Sequence, residues 1–161
     1  MRAGQATSTD ESPEALTDAL LTASRLLMAI SGRSIAGVDE SITIPQFRTL
    51  VILANRGPVN LATLAGLLGV QPSTTGRMVD RLVAGGLIER KPHPTSRREL
   101  IAGLTSRGRD VVAQVTAQRR NEIARIVETM PAAERRGLVR ALTAFAKAGG
   151  ELPTRIDVDP R

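Results

Sequence analysis

Two short stretches hold the side chains best suited to chemistry. PSTTGRMVDR, residues 72–81, places Ser73, Thr74 and Thr75 ahead of Arg77 and Arg81, and ERKPHPTSRREL, residues 89–100, gathers Arg90, Lys91, Arg97 and Arg98 around two prolines. A nucleophilic hydroxyl needs a base beside it, and none stands near Ser73 or Thr74 in the pattern. With His93 as the sole histidine and no cysteine, material for a catalytic triad, a zinc site, a disulfide or a thiol sensor is almost absent. An enzyme is therefore the weakest class, and neither a cofactor nor a metal is expected. His93 reads as a solvated loop histidine. What remains is anion chemistry. Hydroxyls and amides at a helix start can meet phosphate, and arginines one and two turns on can reach phosphate or a guanine edge.

The distribution of charge agrees. The chain has 161 residues and a formal net charge of +6. Residues 1–44 carry net −3, 45–70 net +2, 71–109 net +5 and 110–161 net +2. The middle is thus the electropositive part, which suits a polyanion. Only Phe47 and Phe145 are aromatic, with no Trp or Tyr, which argues against platforms that stack single-stranded bases. No apolar run approaches a membrane span and the start MRAGQATSTDESPEA is polar, so a cytoplasmic protein without a membrane partner is expected.

These stretches need elements to position them. Residues 1–12 read as a disordered tail. Ser12-Pro13-Glu14 is a helix start, and Leu16, Leu20, Ala23, Leu27 and Ile30 follow as one apolar stripe on a helix ending near Gly32. Thr43 and Gln46 have capping-box spacing before a second helix carrying Phe47, Leu50, Val51 and Ala54. Asn60 caps a short third helix, LATLAGLL, stopped by Gly69, and Pro72 opens a fourth with Met78, Val79 and Leu82 inward. LIERK and ELIAGL alternate as two short strands, with the prolines confined to the loop between them because neither suits a helix or a central strand. Thr105 caps a long helix with Val112, Val115, Ile123, Ile126 and Met130 on its apolar face. Pro131 starts a last helix bearing Leu138, Leu142 and Phe145, and residues 150–161 read as a flexible tail.

Helix, helix, turn, helix, β-hairpin is the order of a winged helix-turn-helix. The expected fold is mainly α with a small β-hairpin wing, flanked by dimerisation helices at both ends. Ala65, four residues before Gly69, lets two helices approach while the glycine takes a left-handed turn. Residues 42–108, from ITIPQF to LTSRG, resemble the MarR family of dimeric winged-helix transcription regulators, most specifically in STTGRMVDRLVAGGLIER and SRRELIAGLTSRG. The resemblance places Arg98 where the family's wing arginine enters the minor groove, and Leu104, Thr105 and Gly108 at its Leu-Thr-x-x-Gly positions. Where the family has an aspartate that orients that arginine, this sequence has Ser96, a weaker and neutral acceptor. Arg90, Lys91 and Arg97 fit phosphate contacts, which any cation can make. The DNA-binding set is thus Ser73, Thr74, Thr75, Arg77, Arg81, Arg90, Lys91, Arg97 and Arg98.

The outer helices carry more apolar surface than a compact winged helix needs. Leu16, Leu20, Leu27, Ile123, Leu138, Leu142 and Phe145 are the expected dimerisation residues, on segments 13–41 and 109–149. A two-fold homodimer would set two recognition helices roughly 34 Å apart on a pseudo-palindromic duplex. The resemblance implies the same dimer, and release from DNA by a small organic effector. Arg25, Arg33 and Arg48 are candidates to meet an acidic one, with solvated surface arginines as the plainer reading. The function expected is a sequence-specific regulator of double-stranded DNA, acting as a repressor. The alternative is a winged-helix protein-interaction module, disfavoured by eight basic residues between 71 and 109.

Overall fold

The computed structural model describes residues 12–151, apart from the side chain of Arg97. The two expected tails lie outside the described residues, except at their inner edges. There Ser12 caps the first helix, and the Gly150 and Glu151 amides bond back to Lys147 and Ala146, closing the last one.

Seven helices and three strands follow in order among the described residues: α1 (Pro13–Ala36), α2 (Ile44–Arg56), β1 (Val59–Asn60), α3 (Leu61–Leu68), α4 (Pro72–Ala84), β2 (Ile88–His93), β3 (Ser96–Leu104), α5 (Ser106–Thr129), α6 (Ala132–Arg135) and α7 (Leu138–Ala148). The expected mainly helical winged helix-turn-helix is the fold found. Its helix starts are built as the sequence spells them. The Ser12 hydroxyl accepts from Ala15 N at 3.1 Å, Thr43 and Gln46 form both halves of a capping box, and Asn60 Oδ1 accepts from Thr63 N at 2.8 Å. Between α3 and α4, Gly69 sits at φ 67°, a left-handed conformation that a side chain resists.

Three expectations are corrected. Helix α1 passes through Gly32 and ends at Ala36, because Ile30, Ser34 and Ile35 are buried against the rest of the fold and outweigh glycine's modest helix penalty. The single last helix is two: α6 ends at Arg135, and Gly137 at φ 79° turns the chain into α7. The hairpin is longer than LIERK and ELIAGL, and Pro92 lies inside β2, opposite Leu100. The strand order β1-β3-β2 makes β2 an edge, the place in a sheet that tolerates proline, and the register shifts directly after it. The third strand, β1, pairs Val59 with Ala102 and Asn60 with Ile101, so it ties the approach to α3 into the wing.

One core joins these elements. Ile35, Phe47, Leu50, Leu53, Leu64, Val79, Leu82, Leu87, Ile88, Leu104, Val112 and Val115 pack together from the end of α1, α2, α3, α4, the wing root and the first half of α5. The Leu-Thr-x-x-Gly segment explains the wing's attachment to α5. Thr105 donates its hydroxyl to Gly86 O at 2.7 Å and accepts from Gly108 N at 3.0 Å, while its own N–H reaches Leu87 O. A Cβ on Gly108 would stand 2.1 Å from Leu87 O, so only glycine allows this approach.

Candidate nucleic-acid interface

Helix α4 turns one side to the core and another to solvent. Thr75, Val79 and Leu82 recur at spacings of four and three and are buried, whereas Ser73, Thr74, Arg77 and Arg81 are exposed. Thr75 therefore leaves the expected DNA-binding set. Its side chain is fully enclosed, and its hydroxyl donates to Gln71 O at 3.3 Å within the helix. Gln71 occupies the cap position of α4 without a side-chain capping bond, so the first-turn amides of Ser73 and Thr74 keep their capacity for an anion. Among the described residues, Arg77 and Arg81 take part in no ion pair. They line an open cavity of about 220 Å³ with Thr43, Gln46, Thr74 and Met78, where α2 begins.

The wing adds its charge on two different faces. Side chains alternate along a strand, so Arg90, Leu100 and Ala102 share one face. Glu89, Lys91, Glu99, Ile101 and Asn60 share the opposite one. On the first face Arg90 reaches Asp80 of α4 at 2.5 Å, and on the second Lys91 meets Glu89 at 2.7 Å. Arg90 thus braces the wing against α4, and Lys91 lies on the opposite face of the hairpin. Arg98 is exposed. The side chain of Arg97 lies outside the described residues. His93 is more than a solvated ring: its Nδ1 lies 3.2 Å from Thr95 N, which donates to it, and 3.0 Å from the Thr95 hydroxyl, closing the wing tip.

Three contacts at this site have no signature in the sequence: Arg90–Asp80, Asn60–Glu99, and a link through Arg107. Arg107 donates to Gly85 O at 3.1 Å, at the end of α4, and lies 3.6 Å from Asp39 in the α1–α2 connection. The Ser41 hydroxyl and then the Ser41 N–H hold the Asp39 carboxyl below its usual range; Arg107 adds to this, and partial burial opposes it. Opposite charges ten or more residues apart leave no periodic trace, so pairing signals of this kind become visible only once the elements are packed.

Of the arginines considered for an acidic effector, Arg33 is paired with Glu122 of α5, and Arg48 lies 3.6 Å from Glu151. Arg25 is exposed. A second open cavity, of about 270 Å³, lies on the other flank of α4, between Leu61, Val79, Arg90, Leu100, Ile101 and Ala102. No described helix is long and apolar enough to cross a membrane.

Comparison with known proteins agrees with this geometry. The model of the MarR family matches residues 42–100. The crystal structure of RV1404 from Mycobacterium tuberculosis is 76% identical, over 90% of this chain and 99% of that one, with a TM-score of 0.84. The HTH-type transcriptional repressor NicR of Pseudomonas putida is 37% identical over 70 residues, 44% of each chain. A mutant of S. aureus MepR bound to an oligodeoxyribonucleotide shares the fold at 18% identity, with a TM-score of 0.61 over 83% of this chain and 96% of that one.

Proposed function

Because this chain belongs to the MarR family of winged-helix transcription regulators, we propose that it acts as a homodimeric, sequence-specific repressor on double-stranded DNA, with an affinity lowered by a small-molecule effector. The observation that carries the DNA reading is the exposed row Ser73, Thr74, Arg77 and Arg81 beside an uncapped helix start. Helix α4 enters the major groove, its first-turn amides and hydroxyls meet phosphate, and Arg77 and Arg81 reach phosphate or base edges. Arg98 enters the adjacent minor groove from the wing, and Arg97 contacts phosphate. In this reading residues 42–108 form the DNA-binding unit.

Residues 13–41 and 109–149 form the dimerisation unit. Support comes from apolar side chains that the chain itself leaves uncovered, Leu16, Leu27, Leu142 and Phe145 among them, with Leu20, Ile123 and Leu138 half-buried beside them. Two-fold pairing covers them and presents two α4 helices to a pseudo-palindromic site. The repressor sense is supported by the likeness to the transcriptional repressor NicR. A small acid seated against Arg77 and Arg81 would compete with phosphate for the same guanidinium groups, and a ligand favouring another α4 spacing would weaken binding by its coupling energy.

Competition gel shifts test this reading. The chain should prefer one duplex selected from a randomised pool over a scrambled one by 10³-fold or more, on the order of specific regulators. Equal competition by both at physiological salt would reject sequence-specific binding.

A further inference from the structure

We propose that Glu99, held by Asn60, is the positioning residue that aims Arg98; this rests on the DNA reading above. Asn60 uses both ends of its amide. Its Oδ1 caps α3 at Thr63 N, and its Nδ2 donates to Glu99 Oε1 at 2.5 Å. One side chain therefore joins the start of the helix-turn-helix to the middle of the wing's central strand. The backbone register agrees, since Asn60 lies opposite Ile101, two residues from Glu99 on the same face of β3.

Arg98 and Glu99 are consecutive on β3, at the register shift that follows Pro92, so the tie from Glu99 to Asn60 holds the backbone beside Arg98 where the ladder with β2 is interrupted. With Glu99 held by Asn60, the β3 backbone that carries Arg98 is fixed relative to the start of α3. Ser96 lies opposite His93 at the tip, and among the described residues no hydrogen bond or ion pair holds the Arg98 guanidinium directly. Its aim depends on the strand. The Arg90–Asp80 pair braces the other strand of the hairpin, so the wing is fastened on both sides of its root and free at its end.

The test reverses the hydrogen bond. Asn60→Asp keeps a good cap for α3 but sets a carboxylate against Glu99. Asn60→Asp with Glu99→Gln restores a donor and an acceptor in exchanged order, at the net charge of the wild type. Full-length proteins are compared on a duplex that the wild type selects from a randomised pool and on a scrambled duplex of equal length.

Asn60→Asp is expected to lose about tenfold on the selected duplex beyond any loss on the scrambled one, and the double variant to recover most of it. Asn60→Ser, which caps α3 without reaching Glu99, should lose selectivity with no change in charge. Equal losses on both duplexes, or a double variant no better than Asn60→Asp, would overturn the assignment. If the wild type selects no sequence at all, the DNA reading itself fails, and that is seen before any variant is made.

Discussion

Leu50 and Leu142 are the same side chain in opposite circumstances. Leu50, on α2, has no exposed surface, and its neighbours Phe47, Leu53, Leu64 and Val79 are buried with it. Leu142, on α7, is 48% exposed, next to Phe145 at 57%. The same split runs through single helices. On α5, Val111, Val112 and Val115 are buried while Ile123 and Ile126 are only half-covered, and on α1 the end is buried while Leu16 stays 52% exposed. Residues from Ile35 to Val115 complete a core from their own chain, whereas the outer ends of α1, α5, α6 and α7 leave an apolar surface unfinished. At roughly 25 cal/mol per Å², uncovered surface of this kind favours association over solvation.

Truncating each region should separate the two kinds of stability. Leu50→Ala is expected to cost about 2–5 kcal/mol in chemical denaturation, independently of protein concentration, because it opens a cavity in a closed core. Phe145→Ala, in the unfinished region, is expected to cost about 1.5–3 kcal/mol of subunit association, read by sedimentation equilibrium as a raised dissociation constant. A monomeric wild type, or a Phe145→Ala loss identical at all concentrations, would erase the distinction.

The DNA-facing surface separates along a similar line, between side chains placed by the core and those placed by local pairs. Arg98→Ala is expected to cost about 1–3 kcal/mol on a selected duplex and much less on a scrambled one. Arg81→Ala tests the helix in the same way, and equal losses on both duplexes would make either residue a phosphate contact only.

What the sequence disclosed follows from the range of the forces involved. Helix starts and the turn at Gly69 are set within a few residues, so Ser12, Thr43, Asn60 and Thr105 were legible as caps. The exposed row on α4 was legible for the same reason, except at Thr75. There a polar side chain takes an inward position by bonding Gln71 O within its own helix, and hydroxyl chemistry alone does not signal that. Pro92 was misplaced because the rule against proline in strands depends on whether the strand is central, and strand order is a tertiary fact. Glu99, Asp80 and Asp39 leave no mark in the sequence pattern because their partners lie on other elements.

Asp39 gives the smallest expected effect, at the seam between the two regions. It links the α1–α2 connection through Arg107 to the end of α4. Its carboxyl titrates below the usual range in the folded protein, so the stability it adds is present above the ordinary carboxylate pKa, near 3.8, and is lost as pH falls through the lower folded value. The difference in denaturation midpoint between wild type and Asp39→Asn should therefore narrow as pH falls through the ordinary carboxylate range and the lowered folded value, with a gap at neutral pH under about 1 kcal/mol. Because the Ser41 hydrogen bonds lower this carboxyl more than Arg107 does, Ser41→Ala should raise its titration midpoint by NMR further than Arg107→Gln. The reverse order would make Arg107 the main hold on Asp39, and the seam an ion pair before it is a hydrogen-bonded turn.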